Sequence, residues 1–311
     1  MTLNLTRRRF LTLTAAAAAL PGPALAAAPV AKWRGVALGA AASMTLKGID
    51  QGEASGIFAA VEAEISRLED IFSLYRKNSA LARLNRSGAL ESAPAELAEL
   101  LSLSDALHTM TGGAFDPTIQ ALWQLYARAT SNGSVPSASE IEATRKRCGW
   151  EHLIRHGGSV SFARDDMALT LNGIAQGYIT DKVAALLRQR GLTDIAIDMG
   201  EVVALGRGPA GESWRAGISA PDGTIVRQIP LENRALATSA PLGTVLDPSG
   251  SIGHILDPLT GKPGGHWKLV SVSAERAALA DGLSTAFCLM PRIEIDAVVA
   301  ANTDVSLEIL V

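Results

Sequence analysis

Trp214-Arg215-Ala216-Gly217-Ile218 and Ile225-Val226-Arg227-Gln228-Ile229, separated only by Ser219 to Thr224, decide the fold class of this chain. Both stretches carry strand signals, and another lies near Val203. The connections among the three are too short for the crossover helix that parallel neighbours need. Consecutive strands must therefore fold back on one another, which favours an α+β arrangement over a doubly wound parallel sheet.

Outward from this core the pattern keeps alternating. Downstream come a strand at Leu269 to Ser273 and a final helix from about Ala277 to Met290. Upstream lie a strand at Ile195 to Asp198, a helix from Ile174 to Arg190 closed by Gly191, and a strand near Ala168 to Leu171. Ser137 to Arg147 reads as a short capped helix behind the surface loop Ser131 to Pro136. Pro94 to Met110 has helical periodicity, as does Ser55 to Phe72, where Ile57, Val61, Ile65, Leu68 and Phe72 recur at three- and four-residue intervals. Alternation from Val36 to Leu46 predicts a strand, and Ala27 to Ala31 a flexible leader. No linker, repeat or low-complexity block interrupts residues 27–311, so we expect a single domain with antiparallel and mixed sheets and packed helices.

Composition narrows the function. The 311 residues are 48% hydrophobic and 19% charged, enough to bury a large core. Twenty-eight Lys and Arg face 31 Asp and Glu, a net charge of -3, with no basic block beyond the first few residues. Nucleic acid is therefore not an expected partner. Thr6-Arg7-Arg8-Arg9-Phe10-Leu11 leads into an alanine-rich apolar run to Leu20, then Pro21-Gly22-Pro23 and Ala24-Leu25-Ala26. This is the layout of a twin-arginine export signal, residues 1–26, cleaved near Ala26, and it predicts a periplasmic protein. The run is too short and too interrupted for a membrane anchor, which needs roughly 18 apolar residues. Cys148 and Cys288 are too few for a disulfide framework and read as buried thiols, with a single bridge left open.

Four local constellations can carry chemistry. Asp281 and Thr285 are four residues apart on an expected helix and so share a face. One carboxylate and one hydroxyl suit Mg²⁺ that completes its octahedron with phosphate and water, although a solvated helix face has the same composition. Leu171-Asn172-Gly173-Ile174-Ala175-Gln176-Gly177-Tyr178 runs from a strand end into a helix start, where amides favour anions and glycine permits close approach. Its spacing matches neither a dinucleotide fingerprint nor a P-loop. Thr111-Gly112-Gly113-Ala114-Phe115-Asp116-Pro117-Thr118 and His254-Ile255-Leu256-Asp257-Pro258-Leu259-Thr260-Gly261 are turn-rich segments. The second puts a histidine beside an aspartate, whereas His108, His152, His156 and His266 read as surface or structural residues.

Taken together and in this order, these motifs resemble the ApbE family of FAD:protein FMN transferases. The resemblance also draws on Phe72-Ser73-Leu74-Tyr75, Ser79, Leu84-Asn85-Arg86, Ala237-Thr238-Ser239 and Ala278-Leu279-Ala280-Asp281, and covers nearly the whole chain after the leader. The export signal, Leu171-Asn172-Gly173 and Met199-Gly200-Glu201 look closest to the NosX-like branch associated with nitrous-oxide respiration. The resemblance implies that FAD is cut at its pyrophosphate, with FMN passing to a threonine of an acceptor flavoprotein and AMP leaving. It implies Mg²⁺ held by the Gly173 carbonyl, Asp281 and Thr285, Tyr75 stacked on the flavin, and Ala114, Phe115 and Asp116 lining the FAD site with Ile255. His254 resembles the general base, and Asp257 is expected to orient it. Leu38, Thr170 and Gln176 also fall at FAD-binding positions by this resemblance, although they depart from the family, which often has methionine, an acid, and lysine or glutamate there. Gly253 likewise replaces serine or histidine. A periplasmic FAD reservoir and an FAD pyrophosphatase are the alternatives that the residues leave open.

Overall fold

The computed structural model describes residues 28–311 and the backbone course of Leu11–Thr14; the remainder of the expected leader, including its arginines and cleavage site, lies outside the described residues. Strand β1 (Leu11–Thr14) precedes the hairpin β2 (Val30–Ala37) and β3 (Ala40–Lys47). Helices α1 (Ser55–Phe72) and α2 (Ala80–Ser87), the short β4 (Ala89–Leu90) and α3 (Ala95–Met110) follow. Next come α4 (Gln120–Ser131), α5 (Ala138–Arg145), β5 (Leu153–His156), β6 (Ser159–Phe162) and α6 (Ala175–Gln189). Strands β7 (Ile195–Asp198), β8 (Val202–Leu205), β9 (Trp214–Ser219), β10 (Ile225–Leu231), β11 (Arg234–Ser239) and β12 (Val270–Ala274) lead to α7 (Ala277–Phe287). The chain ends in α8 (Arg292–Ala301) and β13 (Ser306–Leu310).

A seven-stranded sheet in the order β13-β12-β11-β8-β7-β3-β2, antiparallel at every pairing, carries the molecule. Its central strands are apolar on both faces because both are covered. Ile195 and Ile197 of β7 and Val203 and Leu205 of β8 join the core under α1, α6 and α7. Ala196, Val202 and Ala204 point the other way, against Trp214, Ala216, Ile218, Ile229 and Leu231 of the β1-β9-β10 sheet. The period of two thus feeds two cores, and each buried leucine or isoleucine contributes about 1.5–3 kcal/mol. A third small sheet, β4-β6-β5, closes the α2–α3 side.

The structure confirms the mixed architecture and corrects several boundaries. The strand expected from Val36 to Leu46 is a hairpin that turns at Leu38 and Gly39, both with positive φ (46° and 77°), the geometry of a tight two-residue loop. The expected flexible leader is already strand from Val30, with Ala31 fully buried. No strand forms at Ala168 to Leu171. Leu169 instead exchanges both of its backbone hydrogen bonds with one side chain: its N–H donates to Asn85 Oδ1 and its carbonyl accepts from Asn85 Nδ2, each at 2.8 Å. The helix from Ala277 ends at Phe287 and is not the last, since α8 and β13 follow. Cys148 and Cys288 are both free, buried in separate apolar clusters.

Candidate active site

The asparagine clamp on Leu169, together with a 2.8 Å bond from the Thr170 N–H to the Pro117 carbonyl, threads residues 167–172 past α2 and the Asp116-Pro117 turn. This brings the Gly112–Thr118 and Leu171–Tyr178 motifs side by side. The chain then turns at Ile174 into α6, whose N-terminus has no side-chain cap of its own. Its first-turn amides and positive dipole end thus serve other acceptors.

One of those acceptors is on α7. The Gly177 N–H donates to Asp281 Oδ2 at 3.1 Å, and Asp281 is 4% exposed, so it does not lie on a solvated face. One turn further along α7, Thr285 lies against Gly173: a Cβ built on that glycine would sit 3.1 Å from Thr285 Oγ1 and 3.3 Å from its Cγ2. Asp281 and Thr285 therefore converge on the Gly173–Gly177 bend. Ser239, at the end of β11, adds its hydroxyl, 2.8 Å from Ser284 Oγ and 3.3 Å from Thr285 Oγ1.

The contact between α6 and α7 is close because position 177 has no side chain. A Cβ there would lie 2.4 Å from the Ala277 carbonyl oxygen. On the next turn of α6, Asp181 receives the Ala277 N–H on Oδ1 at 2.8 Å and the Ala278 N–H on Oδ2 at 3.0 Å. Burial pushes the Asp181 carboxyl up to about 6, against the pull of these two amides and of Arg276 and Lys182.

His254 stands on the loop beyond β11. Its Nδ1 lies 3.0 Å from the Thr244 carbonyl and 3.2 Å from that of Pro241. Two acceptors on one nitrogen assign the proton to Nδ1 and leave Nε2 the basic nitrogen. The expectation that Asp257 orients this ring is overturned. Asp257 Oδ1 accepts from the Leu259 N–H and Oδ2 from the Thr260 hydroxyl, so the carboxylate shapes its own turn while main-chain carbonyls hold the histidine. Gly253 is needed beside it, since a Cβ would approach the Pro241 oxygen to 2.2 Å.

Tyr75 is 75% exposed, whereas Phe72 in the preceding turn packs edge-on against Tyr178 of α6, ring centroids 5.3 Å apart. The Leu38 N–H donates to Glu69 Oε1 at 2.7 Å, and Glu69 is paired with Arg76, which ties the hairpin tip to the segment bearing Tyr75.

The other expected site residues are more enclosed. The Phe115 ring is buried in the main core, and its carbonyl lies 2.9 Å from His108 Nδ1. His108 thus pins the Gly112–Asp116 loop. Ala114 is half-buried beside it. Asp116 accepts from both the N–H and the hydroxyl of Thr118, and burial pushes its carboxyl above the ordinary value despite them. Thr170 is half-buried, its hydroxyl 3.3 Å from the Asn172 N–H, and Ile255 is in the core. Gln176 is buried with Nε2 donating to the Met199 carbonyl, beneath Gly200 in the turn between β7 and β8. Asp181, Ser239 and Ser284 were not among the expected site residues; the only local signals for them are the Asp on the face of α6 and the Ala237-Thr238-Ser239 run.

Comparison with known proteins places this arrangement among relatives. The ApbE family model matches residues 38–309. The FAD:protein FMN transferase of Klebsiella pneumoniae is 28% identical over 283 residues, 86% of this chain and 81% of the relative. That of Vibrio cholerae is 31% identical over 258 residues, 78% of this chain and 77% of the relative. The solved structure of the flavin transferase ApbE from Vibrio cholerae superposes with a TM-score of 0.79 at 26% identity, covering 90% of this chain and 93% of that one.

Proposed function

Because this chain belongs to the ApbE family, we propose that it moves the FMN half of FAD onto a threonine hydroxyl of an acceptor flavoprotein and releases AMP. The relatives named FAD:protein FMN transferase support the transfer. The observation that carries the mechanism is the convergence of Asp281 and Thr285, one helical turn apart on α7, on the Gly173–Gly177 bend.

That donor set fits Mg²⁺. A carboxylate, a hydroxyl and the peptide carbonyl of Gly173 are all hard oxygens, too few to complete an octahedron and so suited to an ion that shares a substrate diphosphate. Gly173, Asp281 and Thr285 would hold the ion, which would supply charge neutralisation for the pyrophosphate and the AMP leaving group. The chain's own residues do the positioning. The positive dipole end of α6 lies at the Gly173–Gly177 bend, where it favours the anionic diphosphate. The exposed Tyr75 ring offers a stacking face for the isoalloxazine, with the Leu38 tip tied to its segment through Glu69 and Arg76. The Nε2 of His254 takes the proton of the acceptor hydroxyl as its oxygen bonds to the FMN-side phosphorus and the P–O bond to AMP breaks.

We further read the chain as exported through the twin-arginine route to the periplasm, on the strength of Arg7-Arg8-Arg9 and the apolar run behind them, with a respiratory flavoprotein as acceptor. Among the described residues no helix is long and apolar enough to cross a membrane.

The test incubates the protein with FAD, Mg²⁺ and a flavoprotein carrying a threonine in a Ser/Thr-Gly-Ala-like motif. A fluorescent, denaturation-resistant acceptor is the expected result. Free FMN and AMP alone would make the protein a pyrophosphatase, and unchanged FAD a reservoir. Asp281→Ala removes the charged metal ligand and abolishes turnover; retention of most Mg²⁺-dependent activity would refute the metal assignment.

A further inference from the structure

We propose that Asp181 is a positioning residue for the metal-holding helix, one half of a reciprocal brace in which α6 and α7 each cap the other's first turn. The inference rests on the transferase reading and extends it to a residue that touches neither flavin nor metal. Helix α7 starts after Arg276, whose backbone is extended and whose side chain caps nothing. A helix start left that way has orphan N–H groups, and burial makes them costly. Asp181 answers from another helix, taking the Ala277 amide on one carboxylate oxygen and the Ala278 amide on the other. With both oxygens engaged at α7, the carboxylate acts on α7 and not on a ligand. In return Asp281 takes the Gly177 amide from the first turn of α6. The two exchanges sit on either side of the point where the backbone of α7 packs onto Gly177 without room for a methyl.

The geometry gives the brace a functional consequence. Asp281 is in the turn that follows the capped amides, and Thr285 in the turn after that, so the register of α7 against Gly173 is set where Asp181 grips it. Freeing the start of α7 lets both metal-facing oxygens drift from the Gly173 carbonyl together. Residues that orient metal ligands from behind typically change metal affinity by about 10–100-fold when removed.

The experiment compares Asp181→Ala, Asp181→Asn and Ser137→Ala in the full-length protein. Ser137→Ala deletes the capping box of α5, formed by two exposed side chains that touch neither α6 nor α7, and serves as the control for helix destabilisation alone. The readouts are the Mg²⁺ concentration giving half-maximal FMN transfer at saturating FAD, kcat at saturating Mg²⁺, and amide hydrogen exchange at residues 277–285. Both Asp181 variants should raise the half-saturating Mg²⁺ about tenfold or more, keep kcat within about threefold, and speed exchange through Asp281 and Thr285. Ser137→Ala should lower thermal stability and leave all three readouts unchanged. An Asp181 variant whose Mg²⁺ response equals that of Ser137→Ala overturns the proposal; Asp181→Asn, which keeps one acceptor oxygen, answers if Asp181→Ala does not fold. If the wild type transfers FMN without Mg²⁺, the metal reading fails, and exchange at 281–285 decides the brace separately: protection unaltered by Asp181→Ala overturns it.

Discussion

Gly177→Ala tests the helix contact on which the site is built. A methyl there would lie 2.4 Å from the Ala277 carbonyl oxygen, 2.5 Å from its carbon and 2.6 Å from the Ala278 nitrogen. All three are backbone atoms at a helix start pinned by Asp181, so no rotamer change absorbs the clash. Reaching even 3.0 Å, below which Cβ contacts are essentially not found, requires the helices to part by about 0.6 Å in an interior packed as densely as a crystal. Overpacking of this kind costs about 1–3 kcal/mol, and replacing a helical glycine by alanine returns about 0.5–1 kcal/mol. The net loss is about 1–2 kcal/mol, or a fall in Tm of about 2–8 °C for a chain of this size. Gly56 in α1 provides the comparison, since nothing lies within 4 Å of a Cβ there, and Gly56→Ala should be neutral or slightly stabilising. Thermal unfolding by circular dichroism of the two variants isolates the contact from the helix propensity they share. If Gly177→Ala melts with Gly56→Ala, the close approach of α6 and α7 is not as described and the reasoning fails.

Gly173→Ala should behave differently: its methyl meets the tip of Thr285 at 3.1–3.3 Å, so Tm should stay within about 2 °C while the Mg²⁺ requirement rises several-fold. A matched loss of stability and activity would contradict this. His254→Ala should keep FAD binding, measured by flavin fluorescence quenching, and slow transfer by roughly a hundredfold or more, as loss of a general base does; unchanged transfer reassigns the proton acceptor. Asp181 also predicts a pH slope. Its folded value near 6 exceeds the ordinary carboxyl value of 3.8, so the folded state binds the extra proton between them, and this group's contribution to stability falls as pH rises from about 4 to about 6. Urea unfolding of wild type should lose up to about 3 kcal/mol across that window relative to Asp181→Asn, and parallel curves for the two would show that burial does not dominate at this carboxyl.

What could be read from the sequence about the fold depended on whether the signal was local. Ser55 to Phe72 announces α1 because its apolar residues recur at the helical period over eighteen positions, and Ser137 with Glu140 announces α5 through a capping box that forms as written. The segment at Ala168 to Leu171 has strand composition, yet its hydrogen-bond partner is the Asn85 side chain, 84 residues earlier. No window on the sequence contains both. The hairpin tip at Leu38 was hidden for the opposite reason: leucine is a poor turn residue, and its positive φ in the two-residue loop is held by tertiary contacts, the bond of its N–H to Glu69 and packing of Leu38 against the core.

The same distinction explains the site. Asp281 and Thr285 were visible because a single helix places them on one face whatever it packs against. Asp257 looked like the partner of His254 because it is three residues away, but an aspartate before Pro258 serves its own turn first, accepting from Leu259 and Thr260. Proximity in sequence favours turn chemistry, whereas a histidine's orienter is generally supplied from elsewhere in the fold, here by the carbonyls of Pro241 and Thr244. Asp181 is the converse: it sits in the middle of a helix with no local use for its carboxylate, and its role exists only because Gly177, one turn earlier, lets α7 come close enough for its amides to reach it. A half-buried helix aspartate one turn beyond a buried helix glycine is therefore a signal for an inter-helix cap, and in this chain it points to the helix that carries Asp281 and Thr285.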